Sequence, residues 1–94
     1  MVLTVRFVGS LRASAKRNKL TLALKKKVSV GEAIKRIIKE QPKLKRVLID
    51  PELDDPKINS LILVNGKEIS VLEGVDTELK DGDELVLIPV VHGG

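Results

Sequence analysis

Apolar and polar residues alternate along residues 2–8, VLTVRFV, placing Leu3, Val5 and Phe7 on one face and Thr4, Arg6 and Val8 on the other. That period of two predicts a β-strand. Gly9 and Ser10 end it. Residues 11–18 are polar and basic and read as a loop. A second alternating run follows in 19–26, KLTLALKK, with Leu20, Leu22 and Leu24 on one face and Thr21, Ala23 and Lys25 on the other. The period then changes. Val30, Ala33, Ile34, Ile37 and Ile38 form one apolar stripe at helical spacing, with Lys35, Arg36 and Lys39 outside it. Ser29, three residues before Glu32, supplies a capping box at the helix start, and Pro42 breaks the pattern. Leu44, Val47 and Leu48 predict one or two further helical turns, ending at Asp50 and Pro51.

The second half of the chain is built from shorter pieces. Residues 50–57 are acidic and contain prolines, which predicts a surface loop. Residues 61–64, LILV, read as a short buried strand. Asn65-Gly66 is a two-residue hairpin signal, because both positions accept positive φ, and 67–70 is the expected return strand. Residues 72–78 are a turn-rich connection, and 80–83, KDGD, is a second tight turn. It launches 84–91, ELVLIPVV, which leads directly into His92, Gly93 and Gly94. The first and last strands are the most apolar, so they are expected in the middle of the sheet. A mixed sheet with one main helix packed across one face is an α+β arrangement of the β-grasp type. The expected organisation is one domain over 1–91 and a flexible tail over 92–94.

Composition narrows the chemistry. At 94 residues the chain fits one domain, and 43% of it is hydrophobic. It has no cysteine, which excludes disulfides, thiolate metal sites and cysteine nucleophiles. With His92 as its one histidine, a multi-histidine metal site is also excluded. No run has the length and hydropathy of a membrane span and no signal peptide opens the chain, so the expected location is cytoplasmic. Twelve lysines with a single Gln and a single Met suit a thermophile.

Net charge is +4, but it is unevenly placed. Residues 1–47 carry fourteen Lys/Arg against two Glu, a net of +12; residues 48–94 carry three Lys against eleven Asp/Glu, a net of −8. One reading is two halves that neutralise each other in the fold. The other is two oppositely charged faces used in docking. The basic half lacks aromatic residues for base stacking, which argues against single-stranded RNA as a partner.

The tail carries the candidate chemistry. A Gly-Gly terminus has no Cβ atoms, so it can extend through a narrow channel into another protein's active site. Its carboxylate, at Gly94, is a poor acyl donor until adenylation by ATP supplies a good leaving group, after which a sulfur or amine nucleophile takes the acyl group. None of the catalytic groups for this need lie in the chain itself, and no self-contained active site is read here.

The segments VRFVGSLR (5–12), VSVGEAIKRI (28–37), ILVNGKEIS (62–70) and LEGVDTELKDGDELVLIPVVHGG (72–94) resemble the sulfur-carrier branch of the ubiquitin-like proteins. The likeness is nearest to the small subunit of molybdopterin synthase and its archaeal relatives, and it covers nearly the whole chain. It implies a ubiquitin-like β-grasp fold with no intrinsic cofactor. It also implies that Gly94 is adenylated by a ubiquitin-activating-like adenylyltransferase, with ATP bound by that enzyme, and converted to a thiocarboxylate. Sulfur would then pass to a pterin precursor inside the large synthase subunit. Archaeal relatives also become attached to lysines of target proteins through the same glycine. The ending Pro89-Val90-Val91-His92-Gly93-Gly94 departs from the family's Pro-Pro-Val-x-Gly-Gly. Its last three residues resemble the ubiquitin-related modifier, which serves both transfer-RNA thiolation and protein modification.

Four side chains outside the glycines are considered as partner contacts. Val8, Val86 and Ile88 fall on the sheet face opposite the helix and form either an exposed apolar docking patch or a floor under the acidic loop. His92 and Gly93 thread the tail, with His92 read as a partner contact or as having no special role, and not as a base, since a flexible tail holds nothing at catalytic geometry. Competing readings remain a protein modifier forming isopeptide bonds and an RNA-binding β-grasp module. The last of these has no use for terminal glycines.

Overall fold

A computed structural model describes residues 1–48 and 60–89. The first alternating run becomes strand β1 (Val2–Phe7), with Leu3, Val5 and Phe7 buried. The second becomes β2 (Lys19–Ala23), burying Leu20 and Leu22, while Leu24 packs half-buried beyond its end. Between them the expected loop is instead a short helix, α1 (Ser10–Ala15), whose Leu11 and Ala15 are buried. These two residues are one helical turn apart, but they sit among basic residues, and the helix begins at Gly9 with no side-chain cap. Its far end is closed by Lys16 in the left-handed region at φ 57°.

The main helix, α2 (Val30–Glu40), forms as its sequence predicts. The Glu32 amide donates to Ser29 Oγ at 3.2 Å and the Ser29 amide donates to Glu32 Oε1 at 3.2 Å, so the capping box is complete. Val30, Ala33, Ile34 and Ile37 are buried under the sheet, with Ile38 at the margin. Burying each of the larger ones contributes roughly 1.5–3 kcal/mol. The helix stops before Pro42, which opens a 3₁₀ turn (Pro42–Leu44) followed by α3 (Lys45–Leu48); Leu44 and Leu48 reach the core. The expected stop at Asp50 and Pro51 and the acidic loop lie outside the described residues.

The chain returns in β3 (Ser60–Val64) and turns at Asn65 and Gly66, whose φ values of 50° and 86° fit the two-residue hairpin. The return strand β4 is only Lys67–Glu68. The expected strand over 67–70 is cut short because Ile69 enters a 3₁₀ turn (Ile69–Val71) that lets its side chain pack against the core. A further 3₁₀ turn (Gly74–Asp76) leads to Leu79, fully buried, whose amide donates to the Val28 carbonyl at 2.9 Å. Strand β5 (Glu84–Pro89) completes the sheet.

The strand order is β2-β1-β5-β3-β4. β1 and β5 run parallel in the middle, as their apolar character predicts, and the other pairings are antiparallel. This is the mixed α+β sheet expected, crossed on one face by α2. The buried residues form one apolar cluster with no buried polar or charged residue among those described. Among the described residues no helix is long and apolar enough to cross a membrane.

Candidate functional site

Two turns fix where β5 begins. The hairpin and the Lys80–Asp83 turn are separate signals in the sequence; the structure joins them. Asn65 Nδ2 donates to Asp83 Oδ1 at 2.9 Å, the Glu84 amide donates to Asn65 Oδ1 at 2.9 Å, and the Asn65 amide donates to the Glu84 carbonyl at 2.9 Å. Asp83 Oδ2 also accepts from the Lys80 amide at 2.8 Å. On the other flank the Gly82 amide donates to the Val2 carbonyl and the Thr4 amide to the Asp83 carbonyl, at 2.8 and 3.1 Å. Each group is satisfied within the fold, so β5 is held in register against both neighbours. Asn65 and Asp83 are positioning residues that sequence spacing alone does not link, because they are eighteen residues apart.

At the other end, β5 runs beside the close of β1. The Val8 amide donates to the Leu87 carbonyl at 3.1 Å, and Gly9 follows at φ 61° with its backbone against Pro89. A Cβ at Gly9 would stand 3.2 Å from Pro89 Cγ, in a conformation side chains rarely adopt. Gly9→Ala is therefore expected to cost about 1–3 kcal/mol, measured by denaturant unfolding, and to disturb the last described residue before the tail. His92, Gly93 and Gly94, with the expected division between domain and tail, lie outside the described residues.

The face of the sheet away from α2 holds the three residues expected to form a docking patch. Leu85 and Leu87 point into the core, so Val86 and Ile88 point outward; both are half-buried, and Val8 is 41% exposed. The patch is larger than the sequence implies. Residues 61–64 do not form a wholly buried strand: Ile62 and Val64 enter the core, but Leu61 and Leu63 are half-buried on the outer face. Leu61 pairs with Ile88, and Leu63 with Val86. These cross-strand pairs make a continuous apolar strip over β3 and β5. The alternation in LILV is invisible in the sequence because every position is apolar. Beside the strip, Arg6 Nε and Glu84 Oε2 pair at 2.7 Å, on the row that also holds Val86. Both are about half exposed, so the pair contributes orientation more than stability.

This arrangement gives a central strand with an apolar face, and in the sequence Gly93 and Gly94 follow its last residue, Pro89, by four and five positions. A rigid strand with an exposed apolar face can be gripped by a partner, and such a grip aims whatever the strand continues into.

Known proteins share this fold. The ThiS family model matches residues 5–94, reaching the final glycine. Small archaeal modifier protein 3 of Haloferax volcanii is 30% identical over the full length of both chains. Among solved structures, small archaeal modifier protein 1 from Methanosarcina acetivorans superposes with a TM-score of 0.81 at 31% identity, covering 99% of this chain and 96% of that one. A protein from Pyrococcus furiosus described as a putative molybdopterin converting factor, subunit 1, does so with a TM-score of 0.77 at 26% identity, covering 97% of this chain and 99% of that one.

Proposed function

Because the chain belongs to the ThiS family of ubiquitin-like sulfur carriers and modifiers, we propose that its working group is the carboxylate of Gly94 and that its first role is sulfur carriage for molybdopterin synthesis. The observation that carries the reading is a terminal Gly-Gly continuing from the central strand β5, inside a family match that runs to Gly94. A ubiquitin-activating-like adenylyltransferase binds ATP and joins AMP to the Gly94 carboxylate, releasing pyrophosphate. A sulfur nucleophile then displaces AMP and leaves a thiocarboxylate. The large subunit of a molybdopterin synthase-type complex receives the tail and takes the sulfur for the pterin. The chain itself supplies a docking face, a threading tail of His92 and Gly93, and the acyl group; it binds no cofactor of its own.

A second reading has its own support: the full-length relative in Haloferax volcanii is called a small archaeal modifier protein. In that role an acceptor lysine amine takes the activated acyl group and an isopeptide bond forms. Intact mass after purification from the native cell tests both. Exchange of one carboxylate oxygen for sulfur, mapped to Gly94 by fragmentation to exclude oxidation of Met1, is the expected result for the carrier. Isopeptide links from Gly94 to lysines of other proteins, with no thiocarboxylate, would replace it by the modifier.

Docking is expected to need the outer face. Ile88→Asp places a charge on the apolar strip outside the core cluster, so the domain should stay folded while binding to the activating enzyme, measured by calorimetry, weakens by about tenfold or more. Unchanged binding would remove the strip from the docking model.

A further inference from the structure

An asparagine followed by glycine can lose its side-chain amide. The glycine backbone nitrogen forms a bond to the asparagine Cγ, the Cγ–Nδ2 bond breaks, ammonia leaves, and a cyclic succinimide remains. Water then opens the ring at either carbonyl and gives aspartate or its β-linked isomer. Glycine favours the attack because no side chain shields its nitrogen. Of the three asparagines, Asn18, Asn59 and Asn65, only Asn65 precedes a glycine. Asn65 and Gly66 are exposed at the hairpin, and a Cβ at Gly66 would meet nothing within 4 Å, so the site is open.

The fold nevertheless holds this amide away from the reaction. Both ends of the Asn65 side chain are engaged by the neighbouring turn: Nδ2 donates to Asp83 Oδ1 at 2.9 Å, and Oδ1 accepts from the Glu84 amide at 2.9 Å. To bring Cγ to the Gly66 nitrogen, the side chain must swing back over its own backbone and leave both partners. Departure of Nδ2 breaks the first bond in any case. That bond is charge-assisted, and its acceptor is itself fixed, since Asp83 Oδ2 accepts from the Lys80 amide at 2.8 Å.

We propose that Asn65 is a modification site gated by this clamp. The amide persists while β5 is fastened to the hairpin, is lost as ammonia when the clamp opens, and once lost prevents the clamp from closing again. In the aspartate product an oxygen replaces the donor Nδ2 and faces Asp83 Oδ1. Two acceptors then meet with no hydrogen between them, and two like charges stand at contact distance. In the β-linked isomer a methylene enters the main chain, so a two-residue loop no longer joins β3 and β4 in register. Either product unfastens the start of β5, the strand that carries Val86 and Ile88. Conversion therefore withdraws a chain from docking, a consequence that rests on the docking face proposed above.

The test incubates the full chain in warm, mildly alkaline buffer and follows the exchange of amide NH₂ for OH by intact mass, mapped to Asn65 by fragmentation. A capped peptide of residues 62–70, ILVNGKEIS, gives the rate without the clamp. The folded chain is expected to convert about tenfold or more slowly than the peptide, and Asp83→Ala to recover about tenfold or more of that rate. Ile37→Ala weakens the core but leaves the clamp, so it should convert at close to the unaltered chain's rate. Closure is tested separately. Asn65→Asp should lower the denaturant midpoint, and Asn65→Asp combined with Asp83→Asn should restore it, because the donor then sits on the other partner. Conversion of the folded chain as fast as the peptide overturns the proposal. So does no acceleration in Asp83→Ala, an equal or greater one in Ile37→Ala, or a double variant with no recovery. None of these readouts involves a partner protein, so they stand or fall apart from the docking face.

Discussion

Removing Gly93 and Gly94 is expected to bring ATP–pyrophosphate exchange by the activating enzyme to background while changing unfolding free energy by no more than about 0.5 kcal/mol. The unchanged stability is expected from the packing. The last core residue of β5 is Leu87, and the last strand pairing in register is Pro89 with Ser60. The lost exchange is expected from the chemistry, since the deletion leaves a carboxylate on His92, nearer the body and beside a side chain. Gly93→Val separates reach from bulk: it keeps the length, and should preserve docking measured by calorimetry while slowing adenylation. A truncated chain that melts much earlier would make the tail structural, and a Gly93→Val chain adenylated at the normal rate would remove the narrow channel from the model.

The second large effect is expected in the core. Ile37 is fully buried in the stripe that α2 lays under the sheet. Ile37→Ala removes three carbon atoms from a cluster with no polar group to draw in water, so it should cost about 2–5 kcal/mol in denaturant unfolding. A domain of this size has roughly 5–15 kcal/mol to lose, and the variant should melt at a clearly lower temperature. A loss within about 0.5 kcal/mol would mean the site is exposed in solution.

The elements that can be read from sequence are those whose signal is both local and repeated. α2 carries four buried positions at helical spacing and a side-chain cap, and both its start and its stripe are where the pattern places them. Asn65-Gly66 has one favoured geometry and adopts it. The misread segments have signals of the wrong kind. α1 shows a single apolar pair, Leu11 and Ala15, and its start depends on the backbone of Gly9. β4 is shortened by a tertiary demand, the packing of half-buried Ile69 against the core, that no neighbour announces. LILV hides its two faces because composition is uniform, and so the contribution of Leu61 and Leu63 to the outer strip emerges only from their pairing with Ile88 and Val86. The outward side of β5 is legible because alternation is itself a property of the sequence. The clamp between Asn65 and Asp83 is not, because it is a contact between two turns.

The parallel pairing at the centre of the sheet has a consequence for the order of events in a newly made chain. Thr4 pairs with Glu84 and Phe7 with Leu87, and Arg6 meets Glu84 across 78 positions of sequence. Contacts this distant come late in folding, because the long intervening segment must close first. During synthesis β1 can pair with β2 at once, but its other flank stays open until β5 leaves the ribosome. A chain halted before that point presents neither Val86 nor Ile88 and leaves β3 without its central neighbour. An enzyme that recognises the molecule by gripping β5 therefore distinguishes finished chains from unfinished ones, since the strand it holds is also the piece whose arrival closes the sheet.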